Sequence, residues 1–340
     1  MPIYKTRAVN TNSASGLFYK LDGNSVAFTA TSGSTISVKS GTVVDVNGTL
    51  VAYQTDTALT MPTLTAGTDY AIYACADGSI RSDASFTAPT GYTTSNSRKI
   101  GGFHYAPGGN AAAQSGGSAT PAINPYSLWD LKWRPSCPDP RGMTLVAGAF
   151  WCDIYLLGVD HYVNGTSKYG VTIADGSSPP KIPAAFGGNG SNAYSSLNWW
   201  QAAECATAAG KRLLGYNEYA AAAYGVSEGT SVGADPVSTA LDQLRTSKWG
   251  LIQATGNMWV WGRDLGTYRG DNTGTWGWNN SAGGRGQMYI TPSNLAVAVL
   301  GGSWFGSGDA GSRASYWSDY PWYASSDVGA RCLCDHLNLV

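Results

Sequence analysis

The chain has 340 residues, 43% of them hydrophobic and only 13% charged, enough apolar content for two domains with separate cores. A net charge of −1 and a pI near 6.3 offer no basic footprint for nucleic acid and no attraction to an anionic membrane. No apolar run reaches the length of a membrane span, and the opening "MPIYKTRAVNTNSASG" lacks the apolar centre of a secretory signal. The six cysteines (75, 137, 152, 205, 332 and 334) are scattered and form no disulfide framework, which fits synthesis in a reducing cytoplasm.

In chain order, the first third carries three hairpin signals. "FYKLDGNSVAF", "VVDVNGTLVAY" and "AIYACADGSIRS" each set Asp-Gly or Asn-Gly between β-rich runs, because those pairs tolerate the positive φ of tight turns. Short strands at regular spacing predict a β-sandwich over residues 1–124. A Gly/Ala/Ser-rich stretch then leads to a boundary near Pro125.

Beyond it, "MTLVAGAFWCDIYLLGV" reads as buried strand. "SSLNWWQAAECATAAGKRLL" reads as an amphipathic helix with Asn198, Gln201, Glu204, Thr207 and Lys211 as its polar stripe. That assignment leaves Trp199, Trp200, Ala203 and Ala206 for the core. "NEYAAAAYG" predicts a second helix capped by Gly225. The remainder is Gly-, Trp- and Asn-rich, with strand-like "GNMWVWGRD" and "AVAVLGGSW". Two helices followed by a loop-rich β region make residues 125–340 an α+β domain.

Reactive chemistry is sparse. No Walker or dinucleotide glycine pattern is present, and three histidines (104, 161 and 336) are too few for a His-based metal cluster. Asp335-His336 reads as a polar strand contact rather than half of a catalytic pair. The last Glu is Glu228, so no later Glu-Asp pair is available for glycoside chemistry. Cys332 and Cys334 share a strand face and read as small core residues, with a thiol or copper site as the alternative. The sequons at Asn47, Asn164 and Asn279 read as turns.

"GKRLLGYNEYAAAAYG", "GNMWVWGRD" and "LGGSW…GSRASYW…GARCLCDHL" resemble the C-type lectin-like fold shared by formylglycine-generating enzymes and the variable proteins of diversity-generating retroelements. The resemblance is strongest to the phage tail-fibre receptor-binding members and runs from about Leu21 to the last residue. It implies a C-type lectin-like domain over 125–340 after the β-sandwich, assembled as a homotrimer at the tip of a virion tail fibre with other fibre components. It further implies that a retroelement rewrites a variable region at about 301–331 and that the exposed residues there bind a protein on the bacterial surface. The chain departs from that family in having no counterpart of an N-terminal β-prism module, in Cys332 where Gly is usual, and in Trp322 where a small residue is usual.

Carried over position by position, the variable residues are Ser303, Phe305, Ser307, Asp309, Tyr316, Ser318, Asp319, Tyr320, Tyr323, Ser325, Asp327 and Val328. The genetic code supplies a check. Mutating the adenines of an Asn codon reaches Ser, Phe, Asp, Tyr or Val but never Lys, Glu, Gln, Met or Trp. All twelve positions obey that limit, and Trp304, Trp317 and Trp322 fall outside the set. Tyr and Phe offer rigid contact area while Ser, Gly and Asp offer adaptable hydrogen bonds, which is a paratope composition. Tyr316, Tyr320 and Tyr323 are expected to be exposed, with Trp304 and Trp317 in the core. Arg313 and Arg331 are expected to act as struts on loop carbonyls.

The leading reading is a receptor-binding protein without catalysis, metal or cofactor. Two alternatives come from other classes. A copper- or thiol-dependent formylglycine-generating oxidase would use Cys332 and Cys334. A calcium-dependent lectin would need clustered acidic and Asn ligands, and the chain beyond Glu228 has no Glu to supply them.

Overall fold

The computed structural model describes residues 16–267, 277–279, 286–290 and 295–339. The chain is mostly β, with three short α-helices among the described residues. At Thr42–Val46 and Thr49–Tyr53 the chain reverses through Asn47 and Gly48, whose φ values of 50° and 95° suit a tight hairpin turn. Thr68–Cys75 and Ile80–Asp83 form the second expected hairpin, with Ala74 opposite Ile80. The hairpin expected at "FYKLDGNSVAF" is absent. Phe18–Tyr19 pairs with Thr42–Val46, and Phe28–Ala30 pairs with Ile36–Val38. The Asp22 carboxylate accepts from Asn24 N and Ser25 Oγ, a local turn that redirects the chain to a different sheet.

A five-stranded sheet completes the first part, in the order Ala122–Ile123, Ser97–Ala106, Thr68–Cys75, Ile80–Asp83, with Trp129–Asp130 also on Ser97–Ala106. Phe28, Ile36, Val44, Ile72, Ile100 and Phe103 are buried together, and this core continues to Leu128.

"MTLVAGAFWCDIYLLGV" is a hairpin rather than one strand: Met143–Val146 pairs with Phe150–Asp153. Ala147 and Gly148 both take positive φ at the turn. The last strand, Cys332–Asn338, inserts between Trp133–Pro135 and Phe150–Asp153, so the chain's end closes the sheet that residues 133–153 begin. A six-stranded sheet runs Gly277–Asn279, Met288–Ile290, Ser315–Asp319, Leu295–Leu300, Trp259–Thr267, Val328–Gly329. Of the three sequons only Asn47 is a turn. Asn164 closes the helix His161–Asn164, and Asn279 is paired opposite Met288 in the sheet.

The first predicted helix spans Trp199–Ala208 and is shorter than its stretch because Asn198 caps it. Asn198 Oδ1 accepts from Gln201 N at 3.1 Å and Gln201 Oε1 accepts from Asn198 N at 2.7 Å. Ala202, Cys205 and Ala206 form the buried face, three and four apart as a helix requires. Trp200, expected in the core, is exposed and rests edge-on against Trp199. Lys211 lies past the helix end and is buried instead of solvated. Its ammonium donates to Asp153 Oδ1 at 2.6 Å and Thr166 Oγ1 at 2.8 Å. Burial opposes that charge, but the Asp153 carboxylate outweighs it and pushes the lysine pKa up. The second helix, Tyr216–Ala222, ends at Ala223 rather than at Gly225.

Candidate functional site

The aromatic-rich segment begins where Leu295–Leu300 leaves the sheet. Gly302 has φ 90°, and a Cβ there would sit 2.5 Å from Ala310 Cβ, so the tight reversal that starts the loop needs glycine. Backbone groups outside the segment then hold it at intervals. Gly233 N donates to Trp304 O at 2.8 Å, Gly229 N to Ala310 O at 2.8 Å, Trp199 N to Pro321 O at 3.0 Å and Gly176 N to Ser325 O at 2.9 Å. The Glu228 carboxylate accepts from Ser312 N at 2.8 Å and Ser312 Oγ at 2.7 Å. Beneath them Arg331, fully buried, donates to four carbonyls: Asp153 (2.9 Å), Ile154 (2.5 Å), Ile252 (2.7 Å) and Gln253 (3.1 Å). Arg313 is half-buried, and its carbonyl accepts from Tyr216 Oη at 3.2 Å.

The strand Ser315–Asp319 carries a bulge. Tyr316 stands opposite Val299 and Asp319 opposite Val297, three residues against two. Strict alternation would put Tyr316 and Asp319 on opposite faces; the extra residue turns both toward one cavity. Trp317, between them, packs on the other side against Tyr216 and donates from Nε1 to Ser315 Oγ at 3.0 Å.

That cavity, about 440 Å³, is walled by Trp259, Trp278, Phe305, Tyr316 and Tyr323. Tyr316 is the hub of its rings: it stacks on Tyr289 at 5.2 Å and lies 6.2 Å from both Trp259 and Trp278. Nine of the twelve positions singled out in the sequence line it (Ser303, Phe305, Ser307, Asp309, Tyr316, Asp319, Tyr323, Asp327 and Val328), whereas Ser318, Tyr320 and Ser325 do not. Phe305 is 60% exposed, Tyr323 41% and Tyr320 38%, and Ser307 is exposed too. Asp309, Tyr316, Ser318, Asp319 and Ser325 are half-buried.

Tyr316, expected to be exposed, is half-buried among those rings, and three more of the twelve are buried outright. Ser303, Asp327 and Val328 are buried, because Ser303 bridges Asn257, Val328 pairs with Trp259, and Asp327 O accepts from Trp259 N at 2.9 Å. They form the floor of the cavity. Trp304 and Trp317, expected in the core, are only partly buried along its flank. Trp322 is 63% exposed and stacked flat on Tyr320, 5.1 Å away. The sequence reading missed Trp259, Trp278 and Tyr289 as site residues. "GTWGWNN" shares the Gly-and-aromatic composition of residues 301–331 and was the available signal for Trp278.

Burial, then the charge of Asp327, pushes the Asp319 carboxyl up to about 7. Burial also raises Asp309. The Ser303 hydroxyl is buried without a hydrogen-bond partner.

A second cavity, about 480 Å³, is lined by Arg141, His161, Cys205 and Lys211 among others. Its polar groups are engaged in structure: Arg141 with Asp139, Lys211 with Asp153, and His161 Nε2 on Lys181 O at 2.6 Å. Burial pushes the Cys205 thiol up to about 12, away from reactivity. Cys332 is fully buried, and burial raises its thiol too. His336 Nδ1 accepts from Trp151 Nε1 at 2.9 Å, while Asp335 pairs with Arg212, so the two do not act together. Among the described residues no group of three or more His, Cys, Asp or Glu is arranged to hold a metal ion.

A family model described as the Mtd second domain matches residues 26–130. Over 331 residues the chain is 54% identical to the tail fiber receptor-binding protein of Bordetella phage BPP-1, covering 95% of this chain and 85% of that one. Its fold is similar to solved structures of the Major Tropism Determinant M1 variant (52% identity, TM-score 0.88, 97% of this chain and 88% of that one). The P3c variant is similar as well (51% identity, TM-score 0.89, 97% and 89%).

Proposed function

The chain belongs to the major tropism determinant family of phage tail-fibre receptor-binding proteins, and from that premise we propose that its aromatic cavity and rim bind a protein on the bacterial surface. It is a tail-fibre receptor-binding protein that sets host tropism, and it acts by binding rather than by catalysis. The observation that carries the finer reading is convergence: residues scattered over 303–328 line one ring-walled cavity. The rim residues Phe305 and Tyr323 add exposed aromatic area to it, and the stacked pair Tyr320 and Trp322 adds more nearby in the chain.

Diversification by a retroelement belongs to the same proposal. Codon reach at the twelve positions supports it, as does a loop backbone held by groups whose bonding does not depend on the variable side chains. The proposal also includes a β-sandwich over 1–124, a C-type lectin-like domain over 125–340, and a homotrimer at the fibre tip joined to other tail-fibre components.

The test is adsorption of the purified chain to host cells. Phe305→Ser and Tyr323→Ser should each weaken adsorption by about 2 kcal/mol or more while shifting stability by about 0.5 kcal/mol or less. Trp304→Ala should instead cost roughly 2–4 kcal/mol of stability, since its ring packs against the core. Unchanged adsorption by both rim variants would remove the cavity from the receptor contact.

A further inference from the structure

We propose that the cavity at Tyr316 takes an organic cation of the receptor, the ammonium or guanidinium end of a side chain, held over aromatic faces and neutralised by Asp309, Asp319 and Asp327. This rests on the receptor-binding reading above and names the chemistry that the pocket selects.

Three observations converge. The walls are five aromatic rings, and a cation over such a face is attracted by its quadrupole, most strongly by indole. Three carboxylates line the same space, and no Lys, Arg or His is among the described residues that line it. Elsewhere in the molecule the buried carboxylates of Asp45 and Asp175 each accept two backbone amides, while Asp130, Asp153 and Asp242 have cationic partners in Lys20, Lys211 and Arg245. Asp309, Asp319 and Asp327 have none among the described residues. Asp327 instead accepts from the Ser325 hydroxyl. Finally, the Ser303 hydroxyl lines the cavity, is fully buried and has no partner. It adds a neutral acceptor for an N–H donor.

Burial and the neighbouring Asp327 raise Asp319 to about 7, as expected of two carboxylates close together without a counter-ion. An entering cation relieves that repulsion. A neutral apolar group would leave it in place, and an anion would add to it.

The full chain is titrated with n-butylammonium and n-butylguanidinium, with n-butanol and butyrate as neutral and anionic controls, using ligand-observed NMR. At least one cation should bind at least ten-fold more tightly than n-butanol, and the better of the two identifies a lysine-like or arginine-like receptor group. Asp319→Asn/Asp327→Asn should weaken that binding at least ten-fold. Asp309→Asn, at the more open side, serves as the second variant if the double one melts early. Equal affinity for n-butanol and both cations, or undiminished cation binding in the Asp variants, overturns the proposal.

Adsorption separates the two levels. If Phe305→Ser and Tyr323→Ser abolish adsorption while the carboxylate variants adsorb normally, the receptor surface stands and the cation pocket fails. If the aromatic variants also adsorb normally, the receptor-surface reading itself fails.

Discussion

Arg331 couples three segments through one side chain, and its replacement tests whether the loop platform depends on guanidinium geometry. Four backbone carbonyls converge on its two terminal nitrogens in a site from which water is excluded. A lysine has three donors on one point and cannot span them. Arg331→Lys should therefore cost at least about 2 kcal/mol, since each buried acceptor left unpaired costs about 1–3 kcal/mol, read as a lowered denaturant midpoint. Asp319 makes the opposite case, a residue kept at a cost to stability. Its folded pKa of about 7 lies above the usual carboxylate value, so folding takes up a proton between pH 4 and 7. The group's effect is small at low pH, becomes unfavourable as pH rises through that window, and is fully unfavourable above it. Asp309 and Asp327, with Tyr316 and Tyr323, are the other titratable groups lining the cavity. The Tm gap between Asp319→Asn and the parent chain should be near zero at pH 4 and clearly in the variant's favour at pH 8.

At the scale of elements, the segment 301–328 has little regular structure of its own beyond Ser315–Asp319, one short helical turn and a two-residue strand. It keeps its shape because its carbonyls are acceptors for fixed donors at Gly176, Trp199, Gly229 and Gly233. Backbone acceptors are identical for every residue type, so side chains can change while these bonds persist. A few side chains add to them: Tyr216 Oη donates to Arg313 O, Ser231 Oγ accepts from Ser307 N, and Glu228 ties Ser312. Glu228→Ala should lower stability by about 1–3 kcal/mol through the unpaired Ser312 amide. It should also weaken adsorption without touching a rim residue. Hydrogen exchange at Ser312 would report the loosened loop directly.

For the whole molecule, two parts of the chain meet through a polar cluster. Asp69 Oδ1 lies 2.9 Å from His104 Nδ1 and accepts from Gly142 N at 2.9 Å, and His104 Nε2 lies 2.8 Å from Tyr155 Oη. Asn124 extends the junction by donating to Trp249 O at 3.0 Å. Such a junction ties the N-terminal strands to the part of the chain that carries the cavity, but one cavity of this size gives only a modest single-site affinity. Trimerisation would multiply it by effective concentration. Sedimentation equilibrium at micromolar concentration should return about three times 35.6 kDa, and dilution to monomer should reduce adsorption far more than it changes cation binding. A monomer that adsorbs as tightly as the parent would remove avidity from the account.

Local chemistry is what the sequence determined by itself. Asn47-Gly48 specified its hairpin because few residues accept positive φ at both turn positions. Asn198 and Gln201, two members of the helix's polar stripe, specified its start through a capping box. The composition of 301–331 and its codon limits picked out twelve positions, nine of which the fold gathers around one cavity. Tertiary structure alone decided the rest. Ser303, Asp327 and Val328 are buried because the strand that begins at Trp259 and the nearby Asn257 pair with them from some 50 to 70 residues away. Asp319 joins Tyr316 because of a bulge against Leu295–Leu300, and Trp278 reaches the cavity through pairing with Met288–Ile290. Propensity and turn chemistry act within a few residues, whereas burial and sheet register are set by partners distant in the chain.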